Sequence, residues 1–170
     1  PYDGEPYYNL GWSCMMQQKW DEAYDAFFKS AWNAAWQDAA YYALAQLDTR
    51  KGKYESALDK IDRSLIRNWH NHKARQLKTS ILRKLGRKEE ALALVAESLQ
   101  IDRFNMGCRF EHYLLTRDVK VLEEMKELMR GWAHGYIEYA LDFAAAGLYE
   151  EALSLLAVSY THLTLPTNRE

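Results

Sequence analysis

Three segments of this chain align without a gap at a spacing of 34 residues: KWDEAYDAFFKS from Lys19, KYESALDKIDRS from Lys53 and RKEEALALVAES from Arg87. Ala23, Ala57 and Ala91 keep that spacing, as do Ser30, Ser64 and Ser98, and Gly52 and Gly86 share it. A fourth match, GLYEEALSLL from Gly147, puts Ala152 in the same role 61 residues after Ala91, which is one period plus a shortened unit of 27. A period of this length means one supersecondary unit used repeatedly, because such a unit cannot bury its apolar side alone and must be covered by the next.

Each period carries two helical stripes. Tyr41, Leu44, Ala45 and Asp48 recur at helical spacing, Gly52 follows where a left-handed residue ends a helix, and Ala57, Leu58, Ile61 and Leu65 form the second stripe. The small alanine of each second helix lets two axes approach closely. The spacing predicts an all-α solenoid of about five helix-turn-helix units: 4–37, 38–71, 72–105, a shortened unit at 106–132 with Asp118 as an internal N-cap, and 133–157.

This pattern resembles the tetratricopeptide repeat. Tyr7, Leu10, Gly11, Cys14, Ala23 and Phe27 stand at that family's signature sites in the first unit, and Tyr41, Leu44, Ala45, Ala57 and Ile61 in the second. The third unit departs in its first helix, where Arg75, Lys78 and Thr79 stand at signature sites, while Ala91 and Val95 fit. Ala35, Trp69 and Arg103 replace the closing proline, which leaves the turns between units less sharply specified. The resemblance implies a right-handed superhelix whose first helices line a concave groove that holds a peptide or protein segment, with no catalytic residues and no cofactor. Carried over residue by residue, it implies Tyr8, Trp12, Tyr42, Gln46, Arg50, Gln76, Arg83 and Lys84 as contacts. Such a groove runs from aromatic to cationic, which suits a segment with apolar anchors and an acidic end. The carboxylate clamp of some family members is not implied, because its asparagines are absent. Trp12, Met15 and Met16 have a second reading, as a surface packed against a preceding unit.

A further resemblance supplies an alternative. The run YDAFFKSAWNAAWQDAAYYALAQLDTRKGKYESAL is similar to repeat segments of bacterial proteins that carry an N-terminal β-sandwich domain related in fold to sugar mutarotases. On that reading the repeats are an accessory module packed on an upstream carbohydrate-active domain, and the aromatic face of unit one is an intramolecular contact.

Charge argues against other partner classes. The net charge is -2, which gives no whole-chain attraction to nucleic acid or anionic membrane. Residues 50–90 nevertheless hold 13 Lys or Arg against 5 Asp or Glu, an excess of +8 that leaves -10 for the remainder. A run of this kind reads first as a solvated face. No apolar run approaches the roughly eighteen residues of a membrane-spanning helix. His70 and His72 lack a third ligand nearby in sequence, so no metal is expected. Glu111 and His112 are helix neighbours that point apart, which argues against a catalytic pair. Cys14 and Cys108 read as reduced, half-buried thiols. Among the crowded aromatics of residues 30–47, most are expected in the seam between units, with Tyr42 the exposed exception. The tail, residues 158–170, holds Thr161, Thr164, Pro166 and Thr167 and shows no helical stripe, so it is not expected to extend the last helix. It resembles a peptide translated from sequencing-adapter DNA, which predicts a non-native end and a natural chain that continues past Ala157.

Overall fold

The computed structural model describes residues 2–163, with side chains through Ser159. Ten α-helices follow one another among these residues. They pair as α1 (Glu5–Met16) with α2 (Trp20–Ser30), α3 (Gln37–Arg50) with α4 (Tyr54–Arg67), and α5 (His72–Lys84) with α6 (Lys88–Ile101). Then come α7 (Met106–Thr116) with α8 (Val119–Met129) and α9 (Ala133–Ala145) with α10 (Tyr149–Leu163). A single 3₁₀ turn, Ala34–Trp36, stands where the first closing proline is missing, and the Asn33 side chain accepts a hydrogen bond from the Ala35 N–H to start it.

The period has a backbone cause. Within four hairpins the first helix ends in the same bond, donated by the N–H of Lys19, Lys53, Arg87 or Leu148 to the carbonyl five residues earlier. That bond needs a left-handed residue just before the donor, and Gly52, Gly86 and Gly147 supply it at φ of 71°, 74° and 75°. In unit one the position falls on Gln18, which adopts φ 59° at the cost of a Cβ clash. Gln18→Gly is therefore expected to raise stability by about 0.5–1 kcal/mol, read as a higher urea midpoint at unchanged slope. A lower midpoint rejects the shared turn.

Packing explains the other periodic residues. Ala23, Ala57 and Ala91 are fully buried between helices. The hydroxyl of Ser30 donates to the Gly4 carbonyl at 2.9 Å and that of Ser64 to the Asp38 carbonyl at 2.8 Å, each tying the end of a second helix to the start of its own hairpin. Phe27 fills the first unit, and Gly11 opposite it leaves no room, since a Cβ there would lie 2.6 Å from the ring. From unit two onward a second, larger cluster runs through Ile61, Ile81, Phe110, Phe143 and Leu155.

Three expectations need correction. α10 continues through Leu163, so residues 158–163 extend the last helix; the sequence Val158–Leu163 holds no helix breaker, and Val158 packs on the main cluster. Residues 164–170 lie outside the described residues. Both thiols are buried rather than half-buried, and burial pushes the Cys108 thiol up to about 12, so it stays protonated and inert at neutral pH. In the aromatic stretch Trp32 is the exposed residue, at 64%, because it lies beyond the end of α2, whereas Tyr42 is half-buried against the main cluster.

The fourth hairpin redirects the chain. α7 and α8 are 11 residues each against 14 in α3, α4 and α6, and both end on a left-handed arginine, Arg117 at φ 58° and Arg130 at φ 50°. Asp118 caps α8, accepting from the Lys120 N–H. Gly131, also left-handed at φ 69°, follows Arg130 at once. After this turn α9–α10 lies over the first helices α3, α5 and α7, where Phe143 meets Phe110 edge-on at 5.8 Å and Gly147 seats against the backbone of Arg50.

Candidate functional site

The first helices α1, α3 and α5 carry the sequence-predicted contacts, in different environments. At the α1 end Tyr8 and Trp12 are half-buried, both edge-on to Phe27, with Tyr8 also 4.9 Å from the Trp36 ring. Tyr42 sits further along, accepts a hydrogen bond from Gln46 Nε2 at 3.2 Å, and burial raises its phenol well above the usual range. Gln46 and Gln76 are buried. Gln76 lies beneath Gly107, where an added Cβ would come within 2.6 Å of its side chain.

The cations on this face are engaged by the last hairpin. Arg50 donates from Nη1 to the Tyr149 hydroxyl and from Nη2 to the Ala144 carbonyl at 2.7 Å, at the end of α9 where the helix dipole gathers partial negative charge. Its guanidinium also lies 4.2 Å from the Trp20 ring centre. Lys73 pairs with Asp142 at 2.7 Å. Arg83 and Lys84 both reach Glu151 Oε1, at 2.9 and 2.6 Å. Arg83 donates to Glu111 from Nε and from the same Nη2 that reaches Glu151, and Glu111 is fully buried and also receives the Ser80 hydroxyl at 2.6 Å.

Two carboxylates of the hairpin respond oppositely to their burial. Desolvation raises Asp142, and Lys73 only partly offsets it. Desolvation pushes Glu151 up too, but Lys84 and Arg83 outweigh it and hold the carboxyl below its usual range. The Glu151 contact therefore adds stability at neutral pH that fades as pH falls through its lowered value. Arg83, between two carboxylates, is held more firmly protonated than usual.

Sequence reasoning missed Asp142, Glu151, Glu111 and Arg75. Arg75 is fully buried: Nε donates to Ser98, Nη1 to the Trp69 carbonyl, and the guanidinium lies 4.5 Å from the Trp69 ring centre. Nη2 stands 2.8 Å from Glu97, an ion contact out of line for a hydrogen bond. His72 faces Asp102 at 3.7 Å, and no cluster of three metal-ligating side chains occurs among the described residues. Likewise no helix among them is long and apolar enough to cross a membrane. Clefts of about 590 Å³, beside Arg50, Lys84 and Tyr149, and 430 Å³, beside His72, Lys73 and Asp142, border the hairpin on either side.

No protein-family model and no curated protein matches the chain. Solved structures do. A MamA protein aligns over 98% of both chains with a TM-score of 0.66 at 13% identity. MamA from Desulfovibrio magneticus RS-1 aligns over 93% of both, also with a TM-score of 0.66 at 13% identity. YrrB, described as a TPR protein with an unusual peptide-binding site, aligns over 94% of this chain and 86% of its own, with a TM-score of 0.62 at 19% identity. With its period, its paired helices and these likenesses, the chain has the all-α solenoid fold of tetratricopeptide-repeat proteins.

Proposed function

We propose that the chain is a protein-interaction scaffold, not an enzyme, and that it recognises a protein segment on the face formed by α1, α3, α5 and α7. One observation carries this reading: the face already holds a helical segment, its own last hairpin, through Arg50, Lys73, Arg83 and Lys84. A surface that binds one helix pair by charge and apolar contact has the chemistry to bind another. The solved relative described as a peptide-binding TPR protein agrees in fold. Tyr8, Trp12 and Tyr42 supply the aromatic end of the surface, Arg50, Arg83 and Lys84 the cationic end, and Gln46 and Gln76 its buried floor.

Selection of phage-displayed peptides on the full chain tests it. Enriched peptides are expected to lose at least ten-fold in affinity on Trp12→Ala or Lys84→Glu and to be indifferent to Lys88→Glu outside the face. Binding insensitive to the first two, with helicity intact, rejects the assignment.

A second reading, the accessory module on an upstream carbohydrate-active domain, draws on a different surface. Tyr2, Phe28 and Trp32 form an exposed aromatic patch on unit one, with ring centres 5.8 and 6.5 Å apart in sequence along it. A reading frame upstream of Pro1 that encodes no β-sandwich removes that alternative.

A further inference from the structure

The hairpin meets α5 at both ends. Asp142 pairs with Lys73 in the first turn, and Glu151 pairs with Arg83 and Lys84 in the last, about 15 Å further along at 1.5 Å per residue. Between the two carboxylates Phe143 enters the apolar cluster against Phe110. Arg50 closes the site over the carbonyls that end α9. These features together, two carboxylates bracketing an aromatic anchor, make the kind of ligand the face is built to read.

The covalent link to the hairpin is short, although Tyr136, Phe143, Leu148 and Leu155 pack it into the main cluster. Only Arg130, Gly131 and Trp132 separate α8 from α9, and the first two are left-handed. The 590 and 430 Å³ clefts leave both charged ends of the contact open to an incoming chain.

Resting on the scaffold reading, we infer that the hairpin α9–α10 is a resident occupant of the recognition face, and that the partner is an acidic amphipathic helical segment which displaces it. The partner needs one carboxylate for Lys73, another for Arg83 and Lys84, and an aromatic side chain between them. Affinity for such a segment is reduced by the fraction of molecules whose hairpin is open, so weakening the resident contact strengthens binding in trans.

The probe is a fluorescein-labelled peptide spanning residues 132–159 of this chain, titrated by anisotropy into full-length protein. The double variant Asp142→Asn, Glu151→Gln is expected to bind it about ten-fold more tightly than wild type, and adding Lys84→Glu to that variant is expected to abolish the gain. Equal affinity of wild type and the double variant overturns the displacement while leaving the scaffold reading standing, provided Lys84→Glu still weakens both. Absence of binding by every form, with helicity intact, removes both readings. Should the double variant fail to fold, hydrogen exchange on wild type decides: saturating peptide is expected to speed exchange of α9–α10 amides, and unchanged exchange overturns the inference. A concentration-dependent dimer that exchanges hairpins between two copies also overturns it, in favour of self-assembly.

Discussion

Phe27→Ala is expected to cost about 3–5 kcal/mol, read as a lower urea midpoint. Phe27 is completely buried, and its ring stands 5.5 Å from Tyr8 and 5.8 Å from Trp12 with both edge-on. Gly11 has no side chain to move into the void, since it was excluded by the ring itself, and Cys14, Ala23 and Leu44 are held by their own helices. The cavity therefore stays open, which places the loss toward the upper part of the range. In a linear array each unit is stabilised by its neighbours, and the first unit packs in a separate cluster from the main one. The variant should consequently lose protection in α1–α2 amides before α5–α6, so hydrogen exchange separates local from global unfolding. A loss under about 1 kcal/mol would mean that the tryptophan and tyrosine collapse into the space. In that case the aromatic end of the proposed recognition face is plastic rather than fixed.

The repeating part of the fold was legible because its causes are local. A left-handed residue at the end of a first helix, an alanine at a helix crossing and a serine that ties a second helix back to the start of its hairpin recur in sequence where they recur in space, and the single aspartate cap, Asp118, was marked by its position. The final hairpin was not legible for the opposite reason. Arg50 meets Tyr149 across 99 residues and Lys73 meets Asp142 across 69, and no period links those positions. One signal did foreshadow it. The excess of +8 in residues 50–90 faces -10 elsewhere, and the structure spends part of that imbalance on Lys51 with Asp21, Lys73 with Asp142, and Arg83 and Lys84 with Glu151. A block of one sign inside a chain of the other reads as a solvated face only when the chain does not fold back. Arg75 shows the same limit on a smaller scale: a charge at a signature apolar site reads as a weak repeat, yet Ser98, the Trp69 carbonyl and Glu97 surround it completely.

Glu111→Ala carries the second large effect, an expected loss of about 3 kcal/mol. Glu111 is fully buried and accepts from the Ser80 hydroxyl and twice from Arg83, so its removal strips buried partners from both. The loss falls at the lower end for a broken buried pair, because Arg83 is partly exposed and keeps Glu151. Glu111→Gln retains the shape and one acceptor and is expected to cost less, about 1–2 kcal/mol. The two variants differ in a further respect. Arg83 bridges α7 to α10 through Glu111 and Glu151, so losing the buried carboxylate frees the guanidinium to swing and loosens the hairpin as well as the core. Thermal melts report the first consequence and α10 amide exchange the second. If Glu111→Ala melts early while α10 exchanges as in wild type, the carboxylate serves only the packing of α5 on α7. If exchange of α10 rises beyond what the melting shift explains, the buried ion pair also sets how often the proposed recognition face stands open.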